Sequence, residues 1–199
     1  LGDRLHHTLE SLNLDSDTLV IHDWGAYIGY LYERKYRAKV SSIVALDIGG
    51  HVEPSSVKDI AMFVSYQWAL LNLWLLGGVI PPLGTALTRA LARLLKVPER
   101  QVSTLQARNN YPYFYYWRSI LLPWTRGQLL DNYVPGCAVL FMDGGKKPLM
   151  FHTQQWLDIV EQGGGQSVCL EHGDHWFMET EIEQTNQHII NWLDTQAQA

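Results

Sequence analysis

The segment Ile21-His22-Asp23-Trp24-Gly25 places a carboxylate where the pattern of the chain changes. It follows the apolar run Thr18-Leu19-Val20 and precedes Ala26-Tyr27-Ile28-Gly29-Tyr30, so a β-branched strand is expected to break into a helix with Asp23 at the corner. An Asp held there has a restricted chemistry. Attack on an acyl group gives a labile anhydride, whereas attack on an sp³ carbon gives an ordinary ester that water can cleave at the Asp carbonyl. The backbone N–H of Trp24 would lie near a helix N-terminus, where an oxyanion can be held. Gly25 is expected to let helix and strand approach closely. The simpler alternative is that Asp23 is a helix N-cap, a position that favours Asp.

A second cluster, Gly173-Asp174-His175-Trp176-Phe177, follows the last strand pattern near the end of the chain. His175 on a loop above the strand ends could activate the water that cleaves an Asp23 ester. His172, Asp174 and His175 offer metal ligands, but no third nitrogen or sulfur sits at a telling spacing, and no metal is expected. A carboxylate to orient His175 has two candidates. Asp47 stands at the tip of the strand after the corner helix, and Asp143 lies near the end of a later one. Either could instead be a local turn residue.

A reactive side chain at a strand–turn–helix corner is the arrangement called a nucleophile elbow. His-Asp-Trp-Gly-Ala at residues 22–26 resembles the α/β-hydrolase branch that holds haloalkane dehalogenases, epoxide hydrolases and coelenterazine-type luciferases. The order nucleophile, acid, His agrees with that fold, and Gly173-Asp174-His175-Trp176-Phe177 is similar to the branch's Gly-His-Trp/Phe signature. One position departs. After the third strand such proteins usually carry Gly, two residues, then the acid and often Pro. Here the run is Asp143-Gly144-Gly145-Lys146-Lys147-Pro148, with Lys147 in the acid slot. Lys accepts no hydrogen bond and cannot stabilise an imidazolium. The acid must then come from elsewhere or be missing. Some dehalogenase-like enzymes carry it at the position matching Asp47, which makes Asp47 the first choice and Asp143 the second.

The resemblance implies a helical cap inserted in an α/β sheet, no cofactor, and a small apolar substrate that reacts with water. Epoxide hydrolases of this fold use two cap tyrosines to donate to the epoxide oxygen. Tyr111 and Tyr115, spaced i, i+4 in Asn109-Asn110-Tyr111-Pro112-Tyr113-Phe114-Tyr115, fit that role. Dehalogenases need Trp or Asn donors to cradle halide, and Trp68, Trp74, Trp117 and Trp124 lie in the same region. Aromatic clusters are also ordinary packing. Epoxide hydrolysis is therefore the leading reading and dehalogenation the second. A luciferase-like oxygenase comes third, and a non-catalytic hydrolase scaffold is the rival class. A Ser esterase is disfavoured because the elbow has no Ser.

The elements that must position these residues follow from periodicity. Strands are expected at 18–22, 42–46, 138–142 and 167–170, and helices at about 2–12, 26–37, 150–162 and 180–195. Strand–helix alternation implies right-handed βαβ units and a parallel sheet. Residues 47–137 lack a strand pattern and are broken by prolines, including Pro54, Pro81, Pro82 and Pro123. The expected division is hydrolase core at 1–50 and 136–199, with a helical cap at 51–135.

Composition bounds the rest. The chain of 199 residues is long enough for a sizeable core, and 18% charged with 12% aromatic residues excludes a disordered chain. A net charge of −5 without a basic run argues against nucleic-acid binding. Cys137 and Cys169 lie in apolar runs and are expected as reduced core residues of a cytoplasmic protein. Residues 60–88 carry no charge. Ser65, Gln67, Asn72, Gly77-Gly78 and Pro81-Pro82 interrupt them, so buried cap helices are expected rather than a membrane-facing segment. The chain opens in helical pattern without Met, as a portion of a longer protein would.

Overall fold

The computed structural model describes residues 2–12, 17–53, 56–122, 124, 130, 132–147 and 149–197. Pro148, Pro54 and Pro123 lie outside them. The chain divides into two compact units. Unit 1 is Leu1–Glu53 with Leu130–Ala199, and unit 2 is Pro54–Leu129.

Unit 1 is built on four parallel strands in the order β1 (Asp17–His22), β2 (Val40–Leu46), β3 (Ala138–Gly144) and β4 (Gln166–Leu170). The register pairs His22 with Leu46, Leu46 with Met142, and Met142 with Val168. The near-continuous apolar runs of β2 and β3 reflect burial on both faces. Ile43, Ala45, Val139 and Phe141 face a cluster with Tyr30 of α2 (Trp24–Lys35) and Trp156 of α7 (Gln154–Gln162). The alternating residues Val44, Leu46, Leu140 and Met142 face a second cluster with Phe177 of α8 (Phe177–Thr180) and Trp192 of α9 (Ile182–Ala197). Each large apolar side chain so buried contributes about 1.5–3 kcal/mol relative to exposure. The first helix, α1 (Gly2–Ser11), adds Leu5 and Leu9 to the edge of the first cluster.

Local chemistry explains several boundaries. α7 starts at Gln154 rather than near 150 because the Thr153 side chain accepts from the Trp156 N–H at 3.1 Å and caps it. α2 begins at Trp24, two residues earlier than expected, and its close approach to β1 occurs at Gly29 instead of Gly25. A Cβ at Gly29 would lie 2.8 Å from the Ile21 side chain, whereas one at Gly25 would meet nothing within 4 Å. Cys169 is exposed and Cys137 half-buried, correcting the expectation of two core thiols. β4 is an edge strand of the described sheet, with no strand of that sheet hydrogen-bonded along its outer edge.

A buried acid holds the returning chain. Glu33 of α2 is fully buried and accepts from the Tyr133 hydroxyl at 2.8 Å and the Gly136 N–H at 2.9 Å. His51 Nε2 lies 2.6 Å from the Tyr133 carbonyl oxygen, which ties the chain just before unit 2 to the chain just after it.

Unit 2 is helical: α3 (Val57–Val79), α4 (Pro81–Leu94), α5 (Glu99–Thr104), a 3-10 turn at Ala107–Asn110 and α6 (Tyr111–Leu121). Ser56 caps α3 by accepting from the Asp59 N–H. Pro81 and Pro82 start α4, where a missing N–H leaves no helical bond unmade. α3 packs against α4, the 3-10 turn and α6. A buried pair, Asn110 Nδ2 donating to Thr88 Oγ1 at 3.0 Å, joins the turn to α4. Burial of the apolar helices does not hold for α3. Only 17% of its most apolar window is buried, and only Gln67, Leu70 and Leu71 fall below the surface.

Candidate active site

Asp23 sits where β1 ends and α2 begins, with φ 50° and ψ −129°. That backbone is sparsely populated for a residue with a Cβ and costs on the order of 1–3 kcal/mol, so the surrounding strand and helix must impose it. The Asp23 side chain makes no capping hydrogen bond to α2. The N-cap alternative therefore fails, and the carboxylate is not committed to the helix. Trp24 is the first residue of α2, at the positive end of the helix dipole.

His175 comes to this corner from the loop between β4 and α8. Its Nδ1 lies 2.6 Å from Asp47 Oδ2. With Nδ1–H donating to the carboxylate, Nε2 keeps its lone pair. His22 Nε2 lies 3.1 Å from the His175 carbonyl oxygen, and the two rings are 4.6 Å apart. The residue before the corner thus holds the loop that carries His175. Gly144 lets that loop come close to β3, since a Cβ there would lie 2.3 Å from the Asp174 carbonyl oxygen. Asp174 itself accepts from the Trp176 N–H at 2.7 Å and shapes the turn.

Asp47 is fully buried, directly after β2, with φ 68°. Lys147 Nζ donates to its Oδ1, and the Gly144 N–H approaches the same oxygen at 3.4 Å. The Lys147 side chain is also fully buried, and its Nζ lies 3.7 Å from Asp143 Oδ2. The lysine in the position usually held by an acid is therefore the counter-ion of the acid at Asp47. Asp143 is the second neighbour of that ammonium, and the described contacts of His175 Nδ1 run to Asp47. Sequence reasoning singled out Lys147 only as a residue unable to be the acid, and did not foresee its partner. It also missed His22, whose signal was its place beside Asp23.

Charge accounts for the ionisation of these groups. Burial acts to lower the His175 pKa, but the Asp47 hydrogen bond and the charges of Asp23 and Asp47 outweigh it, and the imidazole stands above its ordinary 6.5. Burial acts to raise the Asp47 pKa, but the His175 hydrogen bond and the Lys147 ammonium hold it below 3.8. His22 is shifted down by burial and by the neighbouring His175. The charge of Asp23 acts to raise both imidazoles.

Among the described residues no three His, Cys, Asp or Glu side chains group as a metal site. His172 is exposed on the loop. Tyr111 and Tyr115 lie in unit 2, in the first turns of α6, with rings 6.3 Å apart edge to face. They share one helical face, as their spacing implies, and both are exposed.

No family model and no curated protein matches the sequence. Solved structures do. A carboxylesterase of the ammonia-oxidizing thaumarchaeon Nitrososphaera gargenis is 15% identical with a TM-score of 0.65, over 99% of this chain and 71% of that one. An epoxide hydrolase of Bacillus megaterium is 19% identical with a TM-score of 0.62, over 98% and 75%. An esterase from a marine microorganism is 12% identical with a TM-score of 0.63, over 96% and 75%. The chain has the α/β-hydrolase fold.

Proposed function

We propose that this chain is a hydrolase that opens a carbon–heteroatom bond through an ester on Asp23, with an epoxide as the preferred substrate class. The observation that carries this reading is the pairing of Asp47 with His175 Nδ1 beside an Asp23 carboxylate that makes no cap. In the first step an Asp23 oxygen attacks the sp³ carbon, the carbon–oxygen bond of the ring breaks, and the leaving alkoxide takes a proton. Tyr111 and Tyr115 are the proposed donors, in a unit that would serve as the cap. In the second step His175 Nε2 takes a proton from water and the hydroxide attacks the Asp23 carbonyl carbon. The Trp24 N–H holds the oxyanion. Collapse breaks the acyl–oxygen bond, His175 gives its proton to the departing alkoxide to complete the diol, and Asp23 returns to the carboxylate as its own proton restores the tyrosine hydroxyl.

The charges favour this sequence of events. Free Asp23 raises the His175 pKa. Esterification removes that charge, which shifts His175 toward the neutral form at the stage that needs a base. Asp47, buried with its counter-ion, stays ionised throughout and holds Nδ1–H.

The test is to trap the ester. A His175→Gln protein is incubated with styrene oxide and, separately, with a dibromoalkane, and the peptide containing Asp23 is analysed by mass spectrometry. A mass addition on Asp23 is expected, and in wild-type single turnover in ¹⁸O water the label enters Asp23 rather than the diol. A folded protein that gives no adduct with a broad panel of electrophiles removes the ester mechanism. Bromide release without diol formation moves the substrate class to haloalkanes.

A further inference from the structure

Unit 2 differs in charge from the rest of the chain. Residues 54–129 hold eight Lys and Arg against two acids, Asp59 and Glu99, while the rest holds seven against eighteen. Their net charges are +6 and −11, which together make the −5 of the whole. Lys58, Lys96, Arg100 and Arg108 form no ion pair among the described residues and are exposed.

The same unit leaves ordered apolar stripes in water. On α3 the exposed positions include Ala61, Ser65, Trp68, Asn72, Leu75 and Val79, spaced i, i+4, i+7, i+11, i+14 and i+18 along one helical face. Leu75 is 47% and Val79 80% exposed. On α4 the exposed line is Leu83, Ala86, Leu87, Ala90 and Leu94, with Leu94 77% exposed between Arg93 and Lys96. The two polar residues on the α3 stripe turn inward on the helix. Ser65 Oγ donates to the Ala61 carbonyl at 2.5 Å and Asn72 Nδ2 donates to that of Trp68 at 2.7 Å. Such back-bonds reduce what a polar group loses on leaving water.

We propose that unit 2 docks on an anionic lipid bilayer, with the α3 and α4 stripes entering the interfacial layer and the unpaired cations against the headgroups. Apolar stripes bordered by basic residues are what an interfacial helix requires. A nucleic acid would use the charge but not the stripes. Screening confines each charge to roughly 8–10 Å at physiological salt, so the bilayer responds to the unit facing it rather than to the chain's total. α3 is long and apolar enough to cross a bilayer. Crossing would strip it from α4, the 3-10 turn and α6, or draw in the Arg89 guanidinium that donates to the Leu105 and Ser103 carbonyls. Lying in the interface demands neither. This proposal stands apart from the hydrolase reading.

The experiment is flotation of the whole chain with phosphatidylcholine vesicles and with mixed phosphatidylcholine–phosphatidylserine vesicles, in low and in molar salt. Binding is expected on the mixed vesicles and reduced in molar salt. Lys96→Gln and Arg100→Gln should each weaken it about five-fold. Leu75→Asp with Leu87→Asp, both at exposed positions, should lower it at least ten-fold while circular dichroism stays unchanged. No binding to mixed vesicles overturns the proposal, as does binding indifferent to all four substitutions. Protein that resists alkaline carbonate extraction replaces interfacial docking with a span. Tight binding to a duplex DNA probe that survives Leu75→Asp with Leu87→Asp assigns the cations to nucleic acid instead.

Discussion

Unit 1 and unit 2 divide the apolar residues of the chain in opposite ways. Unit 1 covers both faces of its sheet, and Trp156, Phe141, Phe177 and Tyr30 are completely buried in its two clusters. Unit 2 is richer in uninterrupted apolar sequence but buries few large side chains, chiefly Leu70, Leu71 and Val102. Hydrophobic composition alone therefore does not mark a core. In unit 1 a parallel sheet supplies a surface on each side for every alternate residue. In unit 2 the helices pack along narrow stripes and leave the remaining faces open. The acidic unit also carries the Asp23 corner and the Asp47–His175 pair, and the basic unit carries the exposed apolar surface.

The comparison is broken or sharpened by substitution in each unit. The largest effect is expected at the elbow. Asp23→Asn should reduce epoxide or halide turnover at least about 10⁴-fold by removing the proposed nucleophile, with unfolding temperature nearly unchanged. Turnover that persists would detach the chemistry from unit 1. Next come the buried groups. Trp156→Ala should lower the stability of unit 1 by about 3–5 kcal/mol in denaturant titration. Val79→Ala, at an 80% exposed position of unit 2, should change the stability of its own unit by less than about 0.5 kcal/mol. Similar losses at both positions would erase the distinction between the units. Lys147→Met leaves the Asp47 carboxylate buried without its counter-ion and should cost about 3–5 kcal/mol. Asp47→Asn should slow ester hydrolysis about 10²-fold or more, measured by accumulation of the alkylated enzyme, and Asp143→Asn far less. The reverse order would return the acid role to Asp143.

The smallest effects concern pH. His175 in the folded protein has a pKa above 6.5, so its charged form is favoured by folding. Its contribution to stability is complete below pH 6.5 and is lost as pH rises through the folded pKa. Asp47 is shifted below 3.8, so its contribution is present above that pH and is lost as pH falls through its lowered value. Hydrolysis of the ester needs neutral His175 and should fall in acid. An NMR titration should show the His175 pKa lower in Asp23→Asn than in the wild type. An unchanged value would remove the proposed electrostatic link between ester formation and the base.

Much of unit 1 was legible in the sequence because a buried parallel strand is a short, continuous apolar run with polar ends. All four strands lie where periodicity places them, within two residues at each boundary. Chain order placed Asp23 and His175 in sequence, and the Lys147 substitution pointed to Asp47. What was not legible depends on contacts far apart in the chain. Lys147 and Asp47 are 100 residues apart, and no local pattern reports that pair. Gly25 and Gly29 have the same residue type and similar surroundings in sequence, and only the packing on Ile21 distinguishes them. The exposure of α3 was hidden for a similar reason, since an apolar helix reads the same whether a neighbour covers it or not. The charge contrast between the units was hidden by the total until their boundary was known.

The contact between His51 and the Tyr133 carbonyl, with Glu33 gripping Tyr133 and Gly136, has a consequence for modularity. It brings the two ends of residues 54–129 together using groups that belong to unit 1 alone. Closing a longer or shorter insert across the same clamp changes the entropy little, about 0.6 kcal/mol for each doubling of length. Unit 1 is thus a socket. A different helical segment can be grafted between His51 and Tyr133 without disturbing the carboxylate–imidazole pair, because both ends of the graft are held by groups of unit 1.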